Sequence, residues 1–190
     1  MRWLSRVSNA ILEVEKILIS ALAAALVLLI LLNIVTRAAG AAIFWVDELA
    51  IYTMIWMALI GASAMLRMRV GVAVTLVTDP LPHTIKRVVQ RLVDAILLLF
   101  AATLLVLSWQ WYDPVALVRV GFDLDAFAQE TLKFIYTEPT NTIGISKFWV
   151  WLVVPLMASA MTVHALTNLL EGPPEVTRED LPGSRSLSEL

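Results

Sequence analysis

Cysteine is absent from the 190-residue sequence. Its absence excludes disulfide bonds, thiolate metal sites and thiol chemistry. Histidine is nearly absent as well, and its two copies, His83 and His164, fall in different segments of the chain. Two histidines at different levels of a fold cannot supply a pair of haem ligands, which excludes a membrane cytochrome. We therefore expect no cofactor, no metal site and no enzymatic activity.

Charged residues are scarce. They make up 16% of the chain, against about 25% in an ordinary soluble domain, while 59% of the residues are apolar. The mean hydropathy is +0.81. This composition argues against a water-soluble core, and the net charge of −2 provides no basic surface for nucleic acid.

Long apolar segments are what the sequence has in abundance. Four of them cover about 17–36, 49–66, 92–112 and 148–170. At about 1.5 Å per helical residue, each is long enough, or nearly so, to cross a hydrocarbon core of about 30 Å. Because a helix satisfies its own backbone groups in lipid, we predict an all-α bundle of four transmembrane helices. Residues 1–171 form one membrane domain, and the polar, acidic segment 172–190 is predicted to be a disordered cytoplasmic tail.

The distribution of lysine and arginine predicts that both termini face the cytoplasm. In that orientation ten cations lie on the cytoplasmic side and four on the opposite side, which is the asymmetry expected of membrane proteins. The same orientation brings five of the seven tryptophans to the outer interface, where amphipathic rings are favoured. These five are Trp45, Trp109, Trp111, Trp149 and Trp151.

Three connecting segments carry further expectations. Residues 1–16 have an apolar face and a charged face, which predicts a separate N-terminal helix lying along the membrane interface. The apolar segment 70–78 is too short to span, so it extends the second helix or lies at the interface. The loop 113–146 is long, and an extra amphipathic helix is predicted in it. Its apolar stripe comprises Leu124, Phe127, Ala128, Leu132 and Ile135.

His164 is the ionisable residue that we place deepest within a span. Histidine inside a membrane is a functional candidate by default. The spans as we place them offer it no carboxylate partner, because Glu13 and Glu15 precede the first one. We therefore expect His164 to be a neutral packing residue.

The outer ends of the first two spans carry the strongest local signal. Arg37 ends the first span, and Trp45, Asp47 and Glu48 begin the second. Carboxylates in the first turn of a helix are favoured by the helix dipole, and Arg37 can neutralise one of them. The functional alternative is that this rim contacts a partner. Trp56, in the middle of a span, is either a packing residue or part of the same interface.

The order and spacing of these residues resemble a known family. The residues that carry the resemblance are Arg37, Trp45-Val46-Asp47-Glu48, Tyr52, Trp56, Gly61, Arg67, Pro139-Thr140, Trp149 and Pro155. Together they are similar to the small, DctQ-type permease subunit of TRAP (tripartite ATP-independent periplasmic) transporters.

The resemblance implies a function and partners. Such transporters import organic acids with a sodium gradient, and the partners implied are a large multi-helix permease subunit and a periplasmic substrate-binding protein in the bacterial inner membrane system. The small subunit is implied to be a membrane scaffold. The implied partner interface comprises Arg37, Trp45, Asp47, Glu48, Trp56, Gly61 and Arg67.

Two other functions stay open at this point. A self-sufficient four-helix exporter has the same number of spans, but that design needs a carboxylate within the membrane. A membrane assembly protein with no transport role is the second alternative. It would lack genomic neighbours that encode a large permease and a binding protein.

Overall fold

The computed structural model of the chain describes residues 2–69 and 82–172. These residues form seven helices and no strand. The helices are α1 (Arg2–Ala38), α2 (Phe44–Met68), α3 (His83–Tyr112), α4 (Pro114–Arg119), α5 (Leu124–Thr131), α6 (Lys147–Trp151) and α7 (Val153–Glu171). The expectations for the segment 70–78 and for the tail after Gly172 lie outside the described residues.

Four helical stretches are long and apolar enough to cross a membrane. They are Arg2–Ala38, Phe44–Met68, Thr84–Arg119 and Lys147–Glu171. Each contains one of the segments predicted from the sequence, so the all-α class and the four spans are confirmed.

The predicted separate N-terminal helix is wrong, because α1 is one continuous helix of 37 residues. No glycine or proline occurs between Arg2 and Ala38, so nothing in the chain disfavours helix across this stretch. Gly40 then ends it: its φ is 71°, and the amide of Ala41 bonds to the Thr36 carbonyl at 2.9 Å. This pairing is typical of a glycine-terminated helix.

The long helices pack in the order α1, α2, α7, α3. Short connections make α1 and α2 antiparallel, while α2 and α7 run in the same direction. A buried apolar core joins α2, α3 and α7 and comprises Leu66, Ala101, Met157, Met161 and Ala165. We call the end of the bundle with Asp47 and the 113–146 loop the loop end, and the end with Arg67 and Glu171 the N-terminal end.

The 113–146 loop contains two short helices, α4 and α5, where we predicted one amphipathic helix. The predicted stripe is divided: Phe127, Ala128 and Ile135 are buried, but Leu124 and Leu132 are exposed. The helix α5 ends at Thr131 and Leu132 adopts a left-handed backbone, so the helical spacing that the prediction assumed does not continue to Ile135.

Candidate partner interface

Three polar side chains form a closed group at the loop end, which we call the Arg37 cluster: Asn33, Arg37 and Asp47. The amide of Asn33 donates to Asp47, and the guanidinium of Arg37 donates to the other Asp47 oxygen. Arg37 Nε also donates to Asn33 Oδ1 at 2.6 Å. The cluster joins the end of α1 to the first turn of α2. The side chains of Arg37 and Asp47 remain 58% and 43% exposed, so both can also meet a partner.

Trp45, the next predicted interface residue, is exposed at the start of α2. Trp109, Trp111 and Trp149 are exposed near the ends of α3 and α6, at the same end of the bundle. The rings of Trp111 and Trp151 meet edge to face with their centroids 6.2 Å apart. The tryptophans grouped by the sequence argument therefore share one end of the bundle.

Glu48 is buried and binds the loop before α6. Its carboxylate accepts hydrogen bonds from the backbone amides of Asn141, Thr142 and Ile143 at 2.8, 2.6 and 3.0 Å. The hydroxyls of Thr142 and Tyr52 donate to it at 2.6 and 2.7 Å. Successive backbone amides that converge on one carboxylate resemble an anion nest. We call this group the Glu48 cluster, and its role goes beyond the helix-dipole contact that the sequence indicated.

Aromatic side chains hold the base of the same loop. The Tyr136 hydroxyl donates to the Tyr112 carbonyl at 2.7 Å, and the rings of Tyr136 and Phe148 stack with centroids 5.2 Å apart. Burial raises the pKa of Tyr136, and the nearby Asp113 carboxylate adds to the shift. The shift keeps the hydroxyl protonated, and available as a donor, to a higher pH than in an ordinary tyrosine.

Trp56 is half-buried and bonds to the neighbouring helix. Its indole N–H donates to the Val150 carbonyl at 2.7 Å. The helical run is interrupted between α6 and α7 at Leu152, one turn before Pro155. Because proline has no N–H, it cannot bond to the carbonyl four residues earlier, and its ring crowds that carbonyl. Trp56 thus binds the backbone of α6 beside the interruption at Leu152. Its contact within the chain fits the predicted role of a packing residue.

Gly61 lies on a partly open face of α2. Among the described residues, a Cβ placed on it would meet no heavy atom within 4 Å apart from its chain neighbours and the adjacent backbone of α2. Ala58 and Ala62, which flank it on the helix, are exposed. Small residues permit close approach of another helix in a membrane, so the prediction that Gly61 faces a partner keeps its basis.

Arg67 lies at the N-terminal end and binds three other helix positions. Its guanidinium donates to Asn168 Oδ1 and Glu171 Oε2, both at 2.8 Å, and to Asn9 Oδ1 at 2.7 Å. We call these four residues the Arg67 network. The Arg67 side chain is only 10% exposed. Its contacts within the chain connect α1, α2 and α7, and its use by a partner stays a prediction.

Arg69 extends this connection to α3. Its guanidinium lies 3.1 Å from a carboxylate oxygen of Asp94, which is buried on α3. It also donates to the carbonyls of Asn168 and Gly172 at 2.6 and 3.0 Å. The Asn168 carbonyl also accepts from the Gly172 amide at 3.0 Å, so Arg69 is a second donor to it. A cation at this position is favoured by the dipole of α7.

His164 is fully buried and has a carboxylate partner, so the expectation of an unpaired histidine is wrong. Its Nδ1 lies 2.7 Å from the Ser8 hydroxyl oxygen and its Nε2 lies 3.2 Å from a Glu15 oxygen. A carboxylate can only accept, so Nε2 carries the proton and Nδ1 accepts from Ser8 when the imidazole is neutral. We call these three residues the His164 cluster.

The His164 cluster was missed because the sequence argument placed Glu15 ahead of the first span. Residues 8 and 15 are seven apart, so they lie two turns from each other on one face of a continuous helix. That spacing is visible in the sequence, but it has meaning only when α1 is unbroken. Ser8 has no exposed surface, and its hydroxyl is closed to any substrate.

None of these groups provides a metal site. In the described parts of the chain, no group of three or more histidine, cysteine, aspartate or glutamate side chains could hold a metal ion. The polar clusters join the helices to one another, and the exposed side chains of the Arg37 cluster can bond to another protein. This arrangement suits a protein that assembles with a partner.

Comparison with known proteins gives two matches. The model of the family described as "Tripartite ATP-independent periplasmic transporters, DctQ component" matches residues 26–173. The C4-dicarboxylate TRAP transporter small permease protein DctQ of Vibrio cholerae serotype O1 is 27% identical over 124 residues. The alignment covers 65% of this chain and 53% of that protein, so the chain spans about half the length of this curated relative. The family match includes the Arg37 and Glu48 clusters, while Ser8 and Glu15 precede it.

Proposed function

Since the chain belongs to the DctQ component family of the tripartite ATP-independent periplasmic transporters, we propose that it is the small permease subunit of a sodium-coupled, binding-protein-dependent importer of an organic acid. It acts as a membrane scaffold for the large transport subunit. The family is a transporter component and not an enzyme family. The protein resides in the bacterial inner membrane with both termini in the cytoplasm.

The pairing of the buried charges carries the scaffold proposal. Within the described spans, the buried carboxylates Glu15, Glu48 and Asp94 each have partners in this chain. A charged substrate or a coupling ion needs polar groups within the membrane to replace its hydration. Polar groups that are already committed to helix contacts do not offer such a site.

The unburied surface of α1 also supports a subunit role. Its most apolar stretch contains no residue that the other described residues bury. Several large side chains along it are more than half exposed, among them Val27, Leu28, Ile34 and Val35. This surface must be covered by lipid or by another membrane subunit.

Reconstitution tests the proposal. Liposomes that contain this chain alone should show no sodium-driven uptake of a radiolabelled dicarboxylate such as succinate or malate. Uptake of the cognate organic acid should appear when the large subunit and the binding protein of the same transporter are added. Robust uptake or proton-coupled drug efflux by the chain alone would contradict the scaffold role and favour the exporter alternative.

The predicted partner interface has a separate test. We expect the exposed Arg37 and Trp45 and the partly exposed Gly61 to contact the large subunit. Replacing Trp45 with Ala should lower recovery of the large subunit with the tagged chain in mild detergent. Trp149→Ala is the matched control, because Trp149 is also an exposed tryptophan at the loop end. Equal recovery with the two variants would contradict the interface.

A further inference from the structure

Two large apolar residues beside α5 have an unusual backbone conformation. Phe122 precedes the helix with a φ of 65°, and Leu132 follows it with a φ of 56°. Positive φ is uncommon for bulky residues and is strained relative to glycine. Both side chains are also exposed, Phe122 at 66% and Leu132 at 76%. Glycine at either position would relieve the backbone and remove the exposed apolar surface.

The helix between these two residues is firmly attached to the bundle. Phe127 on α5 is fully buried, and its ring meets that of Tyr136 with centroids 5.2 Å apart. The Asp123 side chain caps the helix by accepting from the amides of Asp125 and Ala126, each at 3.0 Å. The eight residues of α5 extend over about 12 Å. Phe122 and Leu132 are thus presented at fixed positions on either side of it.

The exposed surface of α5 is acidic. Asp125 and Glu130 are both exposed. The nearby cation Lys133 is engaged elsewhere, since its ammonium group donates to Asp113 and to the Gln110 carbonyl, both at 2.6 Å. Carboxylates are repelled by anionic lipid headgroups and lose hydration on entering a bilayer. The bilayer is therefore a poor occupant of this surface, and a cationic protein surface is a good one.

We propose that Phe122, Asp125, Glu130 and Leu132, the α5 surface, are a docking site for a water-soluble protein that presents cationic groups between two apolar pockets. Apolar anchors flanked by complementary charge are the usual construction of a protein interface. The inference rests on the proposed function, in which the substrate-binding protein is the water-soluble partner.

Glycine substitutions at Phe122 and Leu132 test docking without destabilising the fold. Full-length chain carrying Phe122→Gly and Leu132→Gly is placed in nanodiscs, and binding of the purified substrate-binding protein of the same transporter is measured by biolayer interferometry. The Kd should rise at least about tenfold, as expected for the loss of two apolar anchors, while the melting temperature stays equal or rises because φ is relieved. Val115→Ala, which removes an exposed side chain from α4, is the control and should bind like the unmodified chain.

Charge gives a second readout. Asp125→Asn with Glu130→Gln should weaken binding and reduce its salt dependence, since the attraction between these carboxylates and cationic groups of the partner, which salt screens, is lost.

Absence of binding by the unmodified chain, or equal binding by the glycine variant, would overturn the proposal. A fluorophore on Phe122→Cys that shifts to the blue in nanodiscs without the binding protein would assign the surface to the bilayer. Reduced recovery of the large subunit by the glycine variant would assign it to that subunit. The uptake assay tests the proposed function and does not depend on these binding results. The proposed function and the docking site can therefore fail separately.

Discussion

At the scale of single residues, Glu48 makes the densest set of contacts at the loop end. Three backbone amides and two hydroxyls donate to its carboxylate. Removing the shared acceptor breaks all of these bonds at once, and any donor that stays shielded from water is then left without a partner. The contacts join residues more than ninety positions apart in the chain. Glu48 therefore fixes the 141–143 loop to α2.

Glu48→Ala should lower the melting temperature of the detergent-solubilised chain clearly. Glu138→Ala is the control, because Glu138 is exposed and pairs only with Lys147 across the surface, and such pairs contribute little. Melting can be followed by size-exclusion chromatography after heating. If the melting temperature shifts equally in the two variants, Glu48 does not fix the loop, and only the helix-dipole contact indicated by the sequence is left.

His164 and Glu15 should behave as a coupled pair. His164→Leu leaves a buried carboxylate without its partner, and breaking a buried pair from one side costs about 3–5 kcal/mol. Replacing both residues with leucine removes the unpaired charge, so the double variant should recover most of the lost stability. The double-mutant cycle in thermal unfolding measures this coupling.

Thr53→Val is a suitable control for that cycle. Thr53 is buried near the start of α2, and its hydroxyl bonds to the Leu49 carbonyl of its own helix. Because Thr53 and the His164 cluster lie toward opposite ends of the bundle, this change should add to the effect of His164→Leu without coupling. If the double leucine variant loses the sum of the two single effects, His164 and Glu15 do not stabilise each other.

At the scale of helices, the sequence predicted the spans well and the connections poorly. Apolar runs such as 148–170 identify a span because bilayer thickness sets their length. The α1 prediction failed because charge pattern alone cannot distinguish an interfacial helix from the continuation of a span. The long-range contacts of Ser8 and Glu15 with α7 decide that question, and no local pattern encodes them. Glu48 shows the same limit, since its partners lie in a distant loop.

The continuity of α1 has a direct test by distance. Spin labels on Trp3→Cys and Val35→Cys, both exposed positions in this cysteine-free chain, lie 32 residues apart. A straight helix separates them by about 48 Å, whereas a right-angled bend near Lys16 gives about 35 Å. Pulsed electron paramagnetic resonance distinguishes these distances, and a main peak near the shorter value would restore the separate interfacial helix.

At the scale of the whole molecule, polar groups divide between two ends of an apolar bundle. The Arg37 and Glu48 clusters join helices at the loop end, and the Arg67 network and His164 cluster join them at the N-terminal end. Between them the core is apolar, from Leu66 to Met157 and Met161. Restraints at both ends and an apolar middle suit the frame that the scaffold proposal requires, in which lipid and a neighbouring subunit cover the outer faces. The sequence could predict the charges at each end, but not which of them pair within the chain.

The orientation of this frame is the last prediction. The excess of lysine and arginine at the N-terminal end predicts that it faces the cytoplasm and that the loop end faces the periplasm. Single cysteines at Ala10 and Gln129, both exposed, can be introduced without background because the chain has none. In intact spheroplasts a membrane-impermeant maleimide should label Gln129→Cys and not Ala10→Cys, and lysis should expose both. The reverse pattern would invert the topology and place the α5 surface in the cytoplasm, where a periplasmic protein could never reach it.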